Sequence, residues 1–217
     1  MDLRELAAQL RKPQGKGGIE IGQVMNKGNA LLNDWAIDEL ALEANDHVLE
    51  VGMGNGYFVN KILEKDETIR YTGYDYSTLM VEEAKTINSA YGATGKARFI
   101  LGDADDLPFE EDEFSKILTV NTIYFWSKPE ATLLEFQRVL KHDGILVVGV
   151  RSKETMDQMP FTEYNFRKFT EVEMEDLLIN NGFKILNSIK KKEPPSKYNG
   201  QQMELENIII KAGPVKG

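Results

Sequence analysis

VLEVGMGNGYF, residues 48–58, is the stretch of the chain that decides the fold. A short apolar run that contains the carboxylate of Glu50 leads directly into glycines at positions 52, 54 and 56. A buried strand followed by a glycine-rich turn and a helix exposes backbone N–H groups at the positive end of that helix. Because glycine has no Cβ, a ligand can approach such a turn closely. A tight turn that binds nothing is the alternative interpretation.

Strands and helices alternate around this stretch. Further apolar runs predict strands at residues 69–75, 97–101, 114–121 and 144–150. Amphipathic segments predict helices at residues 57–65, 77–92 and 129–141. This alternation is typical of a parallel sheet that is covered on both faces. We therefore predict an α/β fold with a doubly wound sheet, Rossmann-like, seven-stranded and mostly parallel, with helices on both faces.

The two ends of the chain follow other patterns. Residues 3–10 predict a helix that ends at Pro13 and the glycines after it, and a second helix is expected from about Asn29. Near the other end, a helix closed by Gly182 precedes two strand-like runs at residues 184–191 and 203–212. No helix separates these two runs, so we expect an antiparallel C-terminal hairpin with a long loop at residues 192–202.

Composition excludes several classes of site. The chain has no cysteine and only two histidines, so we expect no metal site and no cysteine nucleophile. The formal net charge of -9 argues against a nucleic-acid surface. Residues 190–192 (KKK) are interpreted as a solvated strand end. No apolar run is long enough to span a bilayer, and a cytoplasmic location is the expectation.

Two acidic positions strengthen the ligand hypothesis. Asp75 ends the next strand, 19 residues after Gly56, where a carboxylate can accept hydrogen bonds from two ribose hydroxyls. Asp103 lies in the polar loop after the third strand and could accept from an exocyclic amine. The glycine spacing departs from the dinucleotide fingerprint because position 57 is Tyr, and no Gly-Lys-Ser/Thr phosphate loop is present.

The ordered series LEVGMGNG, GYDYS, GDADDLPFEEDEFSKIL and RVLKHDGILVVG resembles the class I S-adenosylmethionine-dependent methyltransferases, in the branch of the ubiquinone/menaquinone-type and other small-molecule enzymes. The resemblance covers about residues 46–150 and implies S-adenosyl-L-methionine as cofactor. By position in these motifs, it implies ten cofactor-binding residues: Glu50, Gly52, Gly54, Gly56, Asp75, Tyr76, Asp103, Ala104, Asn121 and Thr122.

The same resemblance divides the chain. Residues 1–45 are expected to form an N-terminal helical cap or lid, and residues 46–217 the methyltransferase domain. Within that domain we expect the motif core at residues 46–150, an acceptor-side insert at about 152–169, and the C-terminal helix and strands at 170–212. For residues 15–35, a mobile lid and a fixed cap are weighed equally.

The methyl acceptor is expected to be a small organic molecule. Methyl transfer is an in-line displacement that needs positioning and exclusion of water more than a nucleophile. Asn26 and Asn29 are polar candidates for the acceptor pocket, and Tyr124, Trp126 and Tyr164 are aromatic candidates for a catalytic role, with core packing as the other interpretation of the aromatics. A monomer or homodimer is expected. A non-catalytic cofactor-binding module and an NAD-binding oxidoreductase remain as alternatives.

Overall fold

The computed structural model describes residues 1–198 and 201–216. Its strands are β1 (His47–Val51), β2 (Arg70–Asp75), β3 (Ala97–Leu101), β4 (Phe114–Val120), β5 (Leu140–Arg151), β6 (Phe183–Lys192), β7 (Ser196–Tyr198), β8 (Gln201–Met203) and β9 (Glu206–Pro214). Its α-helices are α1 (Leu3–Arg11), α2 (Gly15–Gly28), α3 (Ala30–Glu39), α4 (Val59–Leu63), α5 (Thr78–Ile87), α6 (Ser89–Ala93), α7 (Pro129–Val139), α8 (Lys153–Met156) and α9 (Glu171–Asn180). Two 3-10 turns cover Ile123–Phe125 and Pro160–Glu163.

Seven strands form one sheet in the order β3-β2-β1-β4-β5-β9-β6. Neighbours from β3 to β5 are parallel, whereas β9 is antiparallel to both β5 and β6. The predicted fold class is confirmed, including the antiparallel C-terminal pair. The strand order reverses between β1 and β4, and in open α/β sheets ligands bind beyond the carboxyl ends of strands at such a point.

The core has one hydrophobic cluster on each face of the sheet. One packs α7 and α9 against the sheet and includes Phe136 and Leu178. The other packs α3, α4 and α5 and includes Ala36 and Ile62. Both clusters consist of buried aliphatic and aromatic side chains, as the apolar runs of the sequence predict. None of the helices in the described part of the chain is long and apolar enough to cross a bilayer.

Local signals start several helices. The side chain of Asp2 accepts a hydrogen bond from the N–H of Glu5 at 2.7 Å and caps α1. Ser77 caps α5 in the same way through the N–H of Met80. Thr170 and Glu173 form a reciprocal capping box at the start of α9. Each cap satisfies a backbone N–H in the first turn of its helix, which would otherwise have no partner within the helix.

The helix predicted from about Asn29 is present as α3, but the glycine-rich segment between Pro13 and Asn29 also forms a helix, α2, which was not predicted. Gly18 and Gly22 are buried in α2, which packs against α5. A Cβ at Gly18 would lie 2.8 Å from Leu79 and 2.8 Å from the backbone of Pro13. The glycines therefore permit close packing of a helix that their intrinsic propensity disfavours.

The C-terminal loop also differs from the prediction. Residues 192–202 were expected to be irregular, yet β7 and β8 pair antiparallel as a separate two-stranded sheet. Asn199 and Gly200, between these strands, lie outside the described residues. The sequence signal was misleading because Pro194 and Pro195 precede the strand without interrupting its pairing.

Candidate functional site

A cavity opens at the carboxyl ends of the parallel strands, at the switch point between β1 and β4. Its floor comes from the turns after β1, β2, β3 and β4. The end of α1, the second half of α2 and the α2–α3 junction cover it from the N-terminal side. Nine of the ten predicted cofactor-binding residues line this cavity, and Gly56 does not.

The three glycines of the first turn have different roles. All adopt positive φ, at 78° for Gly52, 57° for Gly54 and 69° for Gly56, which disfavours any residue with a Cβ. A Cβ at Gly52 would meet the Thr122 methyl at 2.0 Å, and one at Gly56 would meet the Asn88 amide at 2.7 Å. At Gly54 it would meet nothing within 4 Å. Backbone conformation therefore favours glycine at all three positions, packing adds to this at Gly52 and Gly56, and only Gly54 has open space beside it.

Asp75 links the ends of β1 and β2. Its carboxylate accepts hydrogen bonds from the N–H of Gly54 at 3.0 Å and the N–H of Ser77 at 2.8 Å. The residue is 8% exposed, and burial raises the pKa of its carboxyl to about 6 despite these two bonds. A buried carboxylate on the cavity wall suits hydroxyl donors of a ligand.

Glu50 is the second carboxyl group of the floor. The Tyr71 hydroxyl donates to its Oε2 at 2.6 Å, and the residue is 4% exposed. Burial raises the pKa of Glu50 to about 7, with a smaller contribution from the nearby charge of Asp75, and the bond from Tyr71 opposes the shift. Glu50 therefore changes charge near neutral pH.

Tyr76, Asp103 and Ala104 line the β2–β3 side of the cavity. The Tyr76 hydroxyl donates to the backbone carbonyl of Arg11, and the Lys12 ammonium lies 5.0 Å from the centre of the Tyr76 ring. Burial raises the pKa of this phenol to about 12, so it stays neutral. Tyr76 thus attaches the end of α1 to the β2–β3 side of the cavity.

Asn121 and Thr122 line the opposite side, after β4. Asn121 has φ of 57°, and its side-chain amide donates to Asn29 at 3.1 Å. The Tyr124 hydroxyl donates to the Asn121 oxygen at 2.8 Å and accepts from the N–H of Arg151 at 2.5 Å. This chain of bonds fixes Asn29, at the α2–α3 junction, against the end of β4.

The three aromatic candidates are not brought together. Tyr124 is 4% exposed behind the wall, and burial raises the pKa of its phenol. Trp126 lines the cavity, and Tyr164 lies outside it in a neighbouring groove. Of the polar acceptor-side candidates, both Asn26 and Asn29 line the cavity.

The sequence analysis assigns α1 to the expected cap or lid of residues 1–45 but names none of its residues as part of the site. Leu10, Arg11 and Pro13 line the cavity. The amphipathic pattern of residues 3–10 signals burial of one face and carries no information on its partner. One partner of this segment lies far along the chain: the Arg11 guanidinium donates a hydrogen bond to the carbonyl of Phe125 at 3.5 Å.

Comparison with known proteins adds independent information. Residues 49–148 match the family described as a methyltransferase domain. The chain is 27% identical over 133 residues to the uncharacterized methyltransferase YdaC of Bacillus subtilis, covering 61% of this chain and 71% of YdaC. It is 33% identical over 111 residues to the demethylmenaquinone methyltransferase of Thermotoga maritima, covering 51% of this chain and 46% of that enzyme.

Solved structures share the fold. A structure of a Haloferax volcanii complex between the Trm112 methyltransferase activator and a putative methyltransferase superposes with a TM-score of 0.78 at 21% identity, covering 90% of this chain and 93% of that chain. An Aquifex aeolicus SAM-dependent methyltransferase gives 0.71 at 18% identity, covering 90% and 98%.

The family match spans the turns after β1, β2, β3 and β4 that form the floor of the cavity. Together with the fold and the carboxylates at the ends of β1 and β2, this match identifies residues 49–148 as a methyltransferase domain. Residues 49–148, 100 of the 217 residues, match a methyltransferase domain, and the sheet that contains them has the fold of the S-adenosylmethionine-dependent methyltransferase from Aquifex aeolicus.

Proposed function

We propose that the protein transfers a methyl group from S-adenosylmethionine to a small organic acceptor. The observation that carries the proposal is the cavity that collects nine motif residues from the ends of four strands. Relatives named for the methylation of demethylmenaquinone and 2-methyl-6-phytyl-1,4-hydroquinone support a small acceptor. A relative named fatty-acid O-methyltransferase supports it too, and the acceptors differ among these names.

The residues present fit the cofactor. The space in front of Gly54 permits close approach to the backbone, and Asp75 is placed to accept from two vicinal hydroxyls. Asp103 and Ala104 are proposed to contact the adenine, and Glu50, Asn121 and Thr122 the methionine end. When bound, S-adenosylmethionine supplies a methyl group that is activated by its sulfonium.

The protein's own contribution to the reaction is to position the acceptor and exclude water. The cavity is covered by α1 and α2 on one side and by Phe125 and Trp126 on another. Asn26 and Asn29 offer amide groups that can orient a polar acceptor. Tyr124 is proposed as a positioning residue, because its hydroxyl is engaged by Asn121 and by the backbone of Arg151.

Calorimetry with S-adenosylhomocysteine, S-adenosylmethionine and NAD tests the cofactor. We expect the two adenosyl compounds to bind and NAD to bind far more weakly. Preferential binding of NAD would favour the oxidoreductase alternative.

Transfer of label tests turnover. We expect tritium from methyl-labelled S-adenosylmethionine to enter the small-molecule fraction of a cell extract. Binding without any transfer would support a non-catalytic module, and label found only in protein or RNA would contradict a small acceptor.

A further inference from the structure

A second groove lies beside the cofactor cavity, between α1 and the segment that follows the 3-10 turn at Pro160–Glu163. Arg4, Arg11 and Lys12 line it together with the two tyrosines Tyr76 and Tyr164. Arg11 and Tyr76 line both the groove and the cavity, so the two spaces are neighbours that share a wall.

The charge of this groove is opposite to that of the protein. The formal net charge is -9, yet no Asp or Glu is among the described residues that line the groove. Within residues 1–198 and 201–216, Arg4, Arg11 and Lys12 form no salt bridge at 4.0 Å or less. Two acidic residues lie at the start of α1, and neither lines the groove. Asp2 accepts the capping hydrogen bond from the N–H of Glu5, and Glu5 is in the first turn of the helix. Asp75 is near enough for the charge of Lys12 to lower its pKa, but no carboxylate of the described residues pairs directly with any of the three cations, which together attract an anion.

Local contacts hold two of the cations near the cavity. The Arg11 guanidinium lies 3.5 Å from the carbonyl of Phe125, next to Trp126 on the acceptor side. The Lys12 ammonium lies over the ring of Tyr76 at 5.0 Å. An anion bound here would therefore lie at the edge of the cavity, with aromatic rings beside it for the rest of the molecule.

We propose that this groove binds an anionic group, a carboxylate or a phosphate, that the methyl acceptor carries. The inference rests on the proposed methyl transfer and narrows its substrate class to anionic acceptors. Arginine is suited to this role because its planar guanidinium can bind a carboxylate or a phosphate through two parallel hydrogen bonds.

The test is titration of the full-length protein, saturated with S-adenosylhomocysteine, with benzoate, phenyl phosphate and neutral benzamide, monitored by NMR. We expect benzoate or phenyl phosphate to bind and benzamide to bind at least about tenfold more weakly, and added salt to reduce anion binding. The preference between the two anions separates a carboxylate from a phosphate. Equal binding of benzamide and both anions would overturn the proposal.

Variants locate the site. Arg4→Gln and Lys12→Gln should each weaken binding of the preferred anion by about fivefold, which corresponds to a partly exposed charge pair. Lys16→Gln is the matched control, since Lys16 is an exposed cation on the next helix that lines neither space. An unchanged affinity in both groove variants, or an equal loss in the control, would overturn the proposal.

Measuring S-adenosylhomocysteine affinity separately distinguishes the two hypotheses. If the groove variants weaken binding of S-adenosylhomocysteine and leave anion binding unchanged, the cations serve the cofactor and the anionic-acceptor proposal is wrong. If S-adenosylhomocysteine does not bind to the wild type, the proposed function fails, while the anion titration of the ligand-free protein still reports on the groove.

Discussion

Asp75 combines a structural and a proposed binding role at the scale of one residue. Its carboxylate satisfies two backbone N–H groups, from Gly54 and Ser77, and also lines the cavity. Removing the whole side chain would therefore disturb the turn as well as the ligand site, so an isosteric change is the better probe.

Asp75→Asn should weaken binding of S-adenosylhomocysteine by about 1–3 kcal/mol, the range for a buried hydrogen-bond partner left unsatisfied. Calorimetry measures the affinity, and thermal unfolding measures the stability. Ser77→Ala is the control, because it removes the cap of α5 and lowers stability without removing a group that lines the cavity. If Asp75→Asn binds like wild type while Tm falls as in the control, Asp75 has only the structural role.

Glu50 makes stability depend on pH. Its pKa rises from 4.5 to about 7 in the folded state, so the folded protein binds the proton more tightly than the unfolded chain. The resulting stabilisation is fully present below about pH 4.5 and is lost as pH rises through 7. A shift of this size corresponds to about 3 kcal/mol at roughly 1.4 kcal/mol per pH unit.

Glu50→Gln should remove this dependence. We expect the free energy of unfolding of the variant, relative to wild type, to increase as pH rises from 4.5 to 7 and to stay constant above that range. Urea unfolding at several pH values measures the difference, in which contributions from titrating groups that do not interact with Glu50 cancel, while that of the neighbouring Asp75 remains. A difference that is the same at every pH would show that Glu50 has an ordinary pKa.

At the scale of elements, α2 covers the cavity from the N-terminal side. The lid hypothesis for residues 15–35 stays a prediction. Because α2 is helical, a lid formed by this segment would open when the helix detaches from the rest of the protein, and not through local disorder of its glycines. Only Gly18 and Gly22 of α2 are buried, so little apolar surface holds it.

Limited proteolysis separates a lid from a fixed cap. Lys16 and Lys27 are exposed at the two ends of α2. A lid predicts trypsin cleavage near these residues that S-adenosylhomocysteine suppresses, with Lys65, exposed beyond α4, as a reference site. Equal protection of α2 with and without the ligand would favour the fixed cap.

Arg151 is the buried anchor of α2. Its guanidinium donates to the carbonyl of Gly28 at 2.5 Å, to Asn207 at 2.9 Å and to Glu193, and its side chain is 7% exposed. A cation at the C-terminal end of a helix also interacts favourably with the helix dipole.

Arg151→Gln should therefore destabilise the protein by about 3–5 kcal/mol, because Glu193 loses its buried partner. It should also increase cleavage at Lys27, next to the released end of α2. Lys190→Gln is the control, since it removes a partly exposed ion pair with Glu171 and should cost at most about 1 kcal/mol. Unchanged cleavage in Arg151→Gln would mean that other contacts hold α2.

At the scale of the whole molecule, the sequence was sufficient for the sheet and for the floor of the cavity. The central strands β1, β2 and β4 are buried on both faces and appear as apolar runs, and the residues that follow parallel strands must meet at one edge of the sheet. The roof was not predictable in this way. Its contacts join Arg11 to Tyr76 and Phe125, and the helical form of α2 depends on packing against α5, which no local pattern encodes.

This division between sheet and roof leads to a last prediction. Residues 1–28 place only Ala7, Pro13, Gly18 and Gly22 in buried positions, and none of them belongs to either core cluster. A chain that begins at Asn29 should therefore still fold around the sheet. Its stability should fall by about 1–3 kcal/mol, because Arg151 loses the Gly28 carbonyl as a partner.

The same truncation removes Leu10, Arg11, Pro13, Met25 and Asn26 from the cavity wall. We therefore expect a cooperative urea transition together with a much weaker affinity for S-adenosylhomocysteine and a loss of methyl transfer. Loss of the cooperative transition would show that the first 28 residues are part of the folding core. Full affinity in a folded truncated chain would remove α1 and α2 from the binding site, because the floor of the cavity would then be sufficient by itself.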